Sequence, residues 1–108
     1  MSSKRVDRHR RRDGNHKQLV AQLLGVGYSV LDTADLGHGA PDLVVGANGI
    51  NLLLEVKNPE QPPSKRKLTP QEQDFRNDWR GQYDVVETLD DVIRIVASKL
   101  KEQLNGKV

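Results

Sequence analysis

Two carboxylates and a lysine mark the part of this chain that could do chemistry. Asp42, preceded by Pro41, opens the apolar run Asp42-Leu43-Val44-Val45, and Glu55-Val56-Lys57 closes a second run that begins at Ile50. Between them Gly46-Ala47-Asn48-Gly49 reads as a turn, so two short strands can set an Asp, a Glu and a Lys side by side. Alternation along a strand puts Glu55 and Lys57 on one face and Val56 on the other. Like charges about 4 Å apart repel by about 4 kcal/mol at an effective dielectric near 20, so two adjacent carboxylates are costly. Either one is protonated or a cation sits between them. Oxygen donors suit a hard cation, Mg²⁺ first with Mn²⁺ as a substitute, and the backbone carbonyl of Val56 can add a further oxygen. Such an ion acidifies a bound water and offsets charge on a phosphate, while Lys57 can orient that water or neutralise transition-state charge. The pattern predicts metal-dependent phosphodiester hydrolysis, with Asp42, Glu55 and Lys57 catalytic and Asp42 and Glu55 as metal ligands. An edge strand bearing a surface Glu–Lys pair is the plainer alternative. The Pro-Asp, the hairpin spacing and the flanking helices weigh against it.

The elements that must position these residues are legible from periodicity and punctuation. Leu19, Val20, Leu23 and Leu24 predict a helix over about residues 13–24, ended by Gly25 and Gly27. Residues 28–33 read as a strand and 37–40 as a loop. Residues 42–45 and 50–57 form the hairpin. After a proline-rich loop over 58–68, Thr69, Pro70 and Glu72 make a capping-box start to a helix that Gly81 ends. Phe75 and Trp79, four apart, read as a core pair, although an exposed Trp79 could stack on a base. Residues 83–87 read as another strand. A last helix over 89–103 has Thr88 as N-cap and Val92, Ile93, Val96, Leu100 and Leu104 as its apolar stripe. The order α-β-β-β-α-β-α predicts an α/β or α+β domain with a mixed four-stranded sheet flanked by helices.

Composition narrows the setting. The chain has 108 residues and no cysteine, which excludes disulfides and cysteine-based zinc sites and favours an intracellular location. No apolar run approaches the roughly 18 residues of a membrane span, and the basic N-terminus lacks the apolar stretch of a signal peptide. Residues 1–12 hold Lys4, Arg5, Arg8, Arg10, Arg11 and Arg12 against Asp7, a net +5 within a total of +2, which leaves the body at −3. Such a run has nothing to bury and is expected to be a disordered arm, with residues 13–108 as the folded domain. The arm suits nucleic-acid phosphates, and Lys65, Arg66 and Lys67 in the proline-rich loop could clamp the same backbone. A solvated tail and an ordinary exposed loop are the alternatives. His38, between two glycines, could serve as a base or phosphate ligand, and His16 on the first helix has similar standing.

Pro41-Asp42 with Glu55-Val56-Lys57 resembles the two motif halves of the PD-(D/E)xK nuclease superfamily, and the element order resembles its restriction-endonuclease-like core. Asp13-Gly14-Asn15-His16, Gly37-His38-Gly39-Ala40-Pro41-Asp42, Leu53-Leu54-Glu55-Val56-Lys57 and Leu68-Thr69-Pro70 look most like small stand-alone virus-type replication-repair nuclease (VRR-NUC) modules of phages and bacteria. The likeness spans about residues 13–97. It implies a Mg²⁺-dependent endodeoxyribonuclease in a bacterial or phage-infected cytoplasm. It further implies a homodimer acting on branched DNA such as Holliday junctions, in repair, recombination or phage DNA processing. Many members carry an acidic metal ligand on the first helix, where Asp13 or Asn15 stands here. Many place a glutamine on the helix after the motif strand, a position that falls at Glu72 with Gln71 and Gln73 beside it. Glu72 is already accounted for by the capping box, and Gln73 could touch a substrate phosphate if it faces inward. A catalytically silent nucleic-acid-binding protein of the same fold and an RNA-directed nuclease are the competing readings.

Overall fold

Alternate residues of the central hairpin enter one apolar core, and the sheet is built around that alternation. The computed structural model describes residues 14–106, so Asp13 and the whole basic arm lie outside the described residues. Four strands are present: β1 (Ser29–Asp32), β2 (Leu43–Ala47), β3 (Ile50–Val56) and β4 (Asp84–Val86). Three α-helices accompany them: α1 (His16–Gly25), α2 (Pro70–Asp78) and α3 (Leu89–Gly106). The helices and strands follow the expected order, and the fold is α+β. The sheet order is β1-β2-β3-β4, with β1 and β2 antiparallel, β2 and β3 antiparallel, and β3 and β4 parallel. A parallel pair needs a crossover, and α2 lies within it.

The hairpin turn is tighter than the sequence pattern implied. Gly46 and Ala47 belong to β2, and Ala47 pairs with Ile50, so only Asn48 and Gly49 make the turn. Both have positive φ, 55° and 79°, the signature of a type I′ turn whose twist matches the strands. Leu43, Val45 and Ala47 of β2 and Ile50, Leu52, Leu54 and Val56 of β3 are buried on the core face. Leu19 and Leu23 of α1, and Val92 and Val96 of α3, cover them. The opposite face carries Val44 and Leu53, both half-buried, and continues into Glu55.

Several boundaries and faces differ from expectation for identifiable reasons. Helix α1 starts at His16 because Asn15 uses its side chain on backbone carbonyls elsewhere and makes no cap. Helix α2 stops at Asp78, before Gly81, because Trp79 turns extended at φ −75° and ψ 125°. None of its residues is buried. Phe75 and Trp79 are therefore not a core pair: they stack on each other with ring centroids 5.3 Å apart, and Trp79 is 46% exposed. In α3 the stripe runs through Leu89, Val92, Ile95, Val96 and Leu100. Ile93 and Leu104 are exposed, Leu104 because the helix from residue 101 onward extends beyond the core. Thr88 does cap α3, accepting from the Asp91 amide while Asp91 accepts from the Thr88 amide. Among the described residues no helix is long and apolar enough to cross a membrane.

Leu54→Ala, which empties a fully buried site in the central strand, should cost about 2–5 kcal/mol in urea unfolding. Leu31→Ser on the exposed edge should stay within about 0.5 kcal/mol. Equal effects would contradict the assignment of the core face.

Candidate active site

Leu43 pairs with Leu54, and one further step in that register sets Asp42 opposite Glu55. Both leave the strands on the face away from the core. Asp42 is 8% exposed, Glu55 3% and Lys57 7%, which is unusual burial for charged residues. One oxygen of Asp42, Oδ2, accepts from the Val56 amide at 2.8 Å. The chain before it is anchored by Thr33, whose amide donates to the Asp42 carbonyl at 2.9 Å and whose hydroxyl donates to the Pro41 carbonyl at 2.6 Å. Lys57 Nζ stands 3.7 Å from Glu55 Oε2, as alternation along the strand requires.

A third carboxylate joins them from α2. Glu72 Oε1 accepts from the Thr69 amide at 2.9 Å, completing the capping box, and from Lys57 Nζ at 2.9 Å. The same side chain thus caps the helix and holds the lysine. Gly39 packs so closely on this first helical turn that a Cβ there would run into the Gln71 carbonyl, and its φ of +77° excludes most side chains. The loop and the helix enclose a hollow of about 330 Å³ lined by His38, Gly39, Asp42, Gln71 and Glu72 among others.

The electrostatics follow from packing three acids around one lysine. Burial first, then the charges of Asp42 and Glu72, push the Glu55 carboxyl from an ordinary 4.5 up to about 10. Burial also raises Asp42, against the lowering effect of the Val56 amide. Burial works to raise Glu72 as well, but hydrogen bonds from Glu55, Lys57 and the Thr69 amide outweigh it and leave Glu72 below its usual value. Burial and its acidic neighbours therefore favour the protonated form of Glu55. Its Oε1 is buried with no hydrogen-bond donor. Tyr83, whose hydroxyl is also buried without a partner, is raised by burial and by the charges of Glu55, Glu72 and Asp42.

An orphaned carboxylate oxygen beside a second carboxylate fits a hard divalent cation in place of the proton. Among the described residues no group of three or more His, Cys, Asp or Glu side chains could hold a metal ion. Mg²⁺ commonly takes one or two protein carboxylates and completes its shell with water and phosphate oxygens, so a pair of carboxylates is compatible with it.

The other candidates fall into three groups. Asp13, Lys4, Arg5, Arg8, Arg10, Arg11 and Arg12 lie outside the described residues. Asn15 donates to the carbonyls of Lys57 at 3.1 Å and Glu87 at 2.9 Å, clamping the ends of β3 and β4 together. It lines a separate hollow of about 460 Å³ that includes none of Asp42, Glu55 and Lys57. Arg66 is turned into an ion pair with Glu87 at 3.3 Å, while Lys65 and Lys67 are exposed. Gln73 does not face the site: it is exposed and donates to Asn77 at 3.0 Å. His38 is exposed at the rim, in a left-handed conformation with φ 57°. His16 is buried and its Nε2 lies 2.9 Å from Asp32 Oδ2. Asp32 and Tyr83 had no sequence signal beyond membership of a strand.

No protein-family model, curated protein or solved structure matches the chain.

The raised Glu55 makes a stability prediction that needs no substrate. A carboxyl whose folded pKa lies above its unfolded one stabilises the fold below the unfolded pKa, and that stability is lost as pH rises toward the folded value. In EDTA, Tm should fall between about pH 5 and pH 9 from this group. Glu55→Gln should raise Tm at about pH 8 by roughly 4–8 °C, the equivalent of about 1 kcal/mol in a domain of this size. Mg²⁺ should stabilise the wild type and leave Glu55→Gln unmoved. A wild-type Tm indifferent to both pH and Mg²⁺ would contradict this account of the site.

Proposed function

We propose that this chain is a divalent-metal-dependent nuclease with a restriction-endonuclease-like core of the PD-(D/E)xK kind. One observation carries the reading: Asp42 and Glu55 are buried opposite each other, with Lys57 Nζ 3.7 Å from Glu55 Oε2. A surface Glu–Lys pair would not be buried, and a binding surface for an anionic polymer has no use for adjacent buried carboxylates. The three antiparallel strands, the parallel β4 and the crossover helix agree with such a core.

Bound between Asp42 and Glu55, Mg²⁺ would supply a more acidic water and neutralise charge on the scissile phosphate. The chain's own residues do the rest. The Val56 amide fixes the Asp42 carboxylate. Lys57 presents its ammonium beside Glu55, where it can orient an attacking water or meet charge developing on the phosphate. Glu72 also restrains Lys57 and is itself fixed by the start of α2. DNA is the proposed substrate. Preference for branched structures and action as a homodimer belong to the same proposal and rest on the motif resemblance. Exposed Lys65 and Lys67 and the basic arm supply positive charge for the phosphate backbone.

The test is a cleavage panel with Mg²⁺, Mn²⁺ or EDTA on a four-way junction, a flap, linear duplex, single-stranded DNA and RNA. Wild type should cut only with metal. Asp42→Asn and Glu55→Gln should abolish cutting while still binding DNA, and Lys57→Ala should lose about 10²–10³-fold in kcat. Tight binding without cutting on any substrate would replace the nuclease with a silent nucleic-acid-binding protein. Preferential cutting of RNA would move the substrate class.

A further inference from the structure

The hollow at the carboxylates does not end there. His38 and Gln71 line it, and the same two residues line a second cleft of about 330 Å³ completed by Asp74, Phe75, Asp78 and Trp79. Gln71, Asp74, Phe75 and Asp78 recur at spacings of three and four, so one stripe of α2 forms the wall of this cleft. At its end stands the tryptophan that the core does not take. Trp79 is 46% exposed, its ring is stacked on Phe75 at an interplanar angle of 15°, and its Nε1 lies against Gly81. The ring is held in place on a supporting ring and nearly half of it is open to solvent, which leaves the indole accessible to a stacking partner.

Charge decides what that occupant is. Asp74 and Asp78 line the cleft, so a phosphate placed there would face two carboxylates. A nucleobase is uncharged, offers a π-face to the indole, and brings N–H donors for carboxylate and amide oxygens. We propose that this cleft is a nucleobase subsite, in which an unpaired base of the substrate strand stacks on Trp79 while the adjoining phosphodiester reaches the Asp42–Glu55–Lys57 site. The inference rests on the proposed nuclease function and narrows its substrate to nucleic acid with an unstacked base near the scissile bond, such as a flap, a junction arm or a single strand.

Trp79 is the chain's one tryptophan, so intrinsic fluorescence reports directly on it. The full-length protein in EDTA would be titrated with a single-stranded oligodeoxynucleotide, an abasic strand of equal length, and inorganic polyphosphate. The base-bearing strand should quench the emission, and the other two should not. It should bind the wild type about 5- to 150-fold more tightly than the abasic strand, the range for loss of one stacked base. Trp79→Ala should erase that difference and Trp79→Phe should keep part of it, with circular dichroism checking the fold. If Trp79→Ala does not fold, the wild-type quench and the base-versus-abasic ratio still decide. Unchanged emission on binding, or equal affinity for the abasic strand, overturns the subsite. Metal-dependent cutting scored in parallel separates the two proposals. Cutting without quenching removes the subsite and keeps the nuclease, whereas absence of both binding and cutting removes both.

Discussion

Everything around the site answers one electrostatic problem, the burial of two carboxyl groups that face each other across a hairpin. Glu55 cannot be both buried and ionised there without a positive partner, and Lys57 is shared with Glu72. Burial favours the protonated form of Glu55, and fixed donors hold its neighbours. The Val56 amide holds Asp42, and the capping box holds Glu72. This arrangement gives up stability at neutral pH, and under the proposed function it is the place where a divalent cation would replace the proton. A core selected for stability alone would put leucine or valine at these positions, as it does at their neighbours Leu43, Leu54 and Val56.

The two faces of the sheet divide the work. Helices α1 and α3 close one face with leucine and valine, which makes the hairpin rigid and its register unambiguous, because a one-residue slip would drive Glu55 into the core. Helix α2 buries none of its residues and so leaves the other face open. It is held instead by polar and close-packed contacts at its first turn: Glu72 to Lys57, and the Gln71 backbone against Gly39. These contacts bring the loop, the helix and the strand ends around one hollow. Asn15 performs a similar service from the opposite side, joining the ends of β3 and β4 through two backbone carbonyls. Asn15, which the likeness offered as a possible metal ligand, makes this clamp with its side-chain nitrogen, while its Oδ1 is buried with no hydrogen-bond partner.

Much of the fold was legible because its causes are local. The turn was read within Gly46–Gly49, of which Asn48 and Gly49 make it, the start of α2 is written in Thr69-Pro70-Gln71-Glu72, and the start of α3 in Thr88. The misreadings share a different cause. Phe75 and Trp79 have core spacing, but spacing says which residues share a helix face and not whether anything covers that face. Ile93 and Leu104 fit an apolar stripe, yet Ile93 sits beside the buried face of Val92 and Val96 and Leu104 lies past the end of the core.

Asp42, Glu55 and Lys57 could be grouped from sequence alone, since a short glycine turn joins the two apolar runs and strand alternation puts Glu55 and Lys57 on one face, but the register that sets Asp42 opposite Glu55 came from the two-residue turn of the folded hairpin. Only the tertiary structure brought Glu72 to Lys57, His16 to Asp32, Tyr83 toward the carboxylates and Asn15 to Glu87, the last pair separated by 72 positions. Contacts at such separation leave no periodic trace in a single sequence, because they depend on how the elements pack and not on how any one of them is patterned. The same holds for the exposure of Trp79, which follows from how little of the described chain packs against α2.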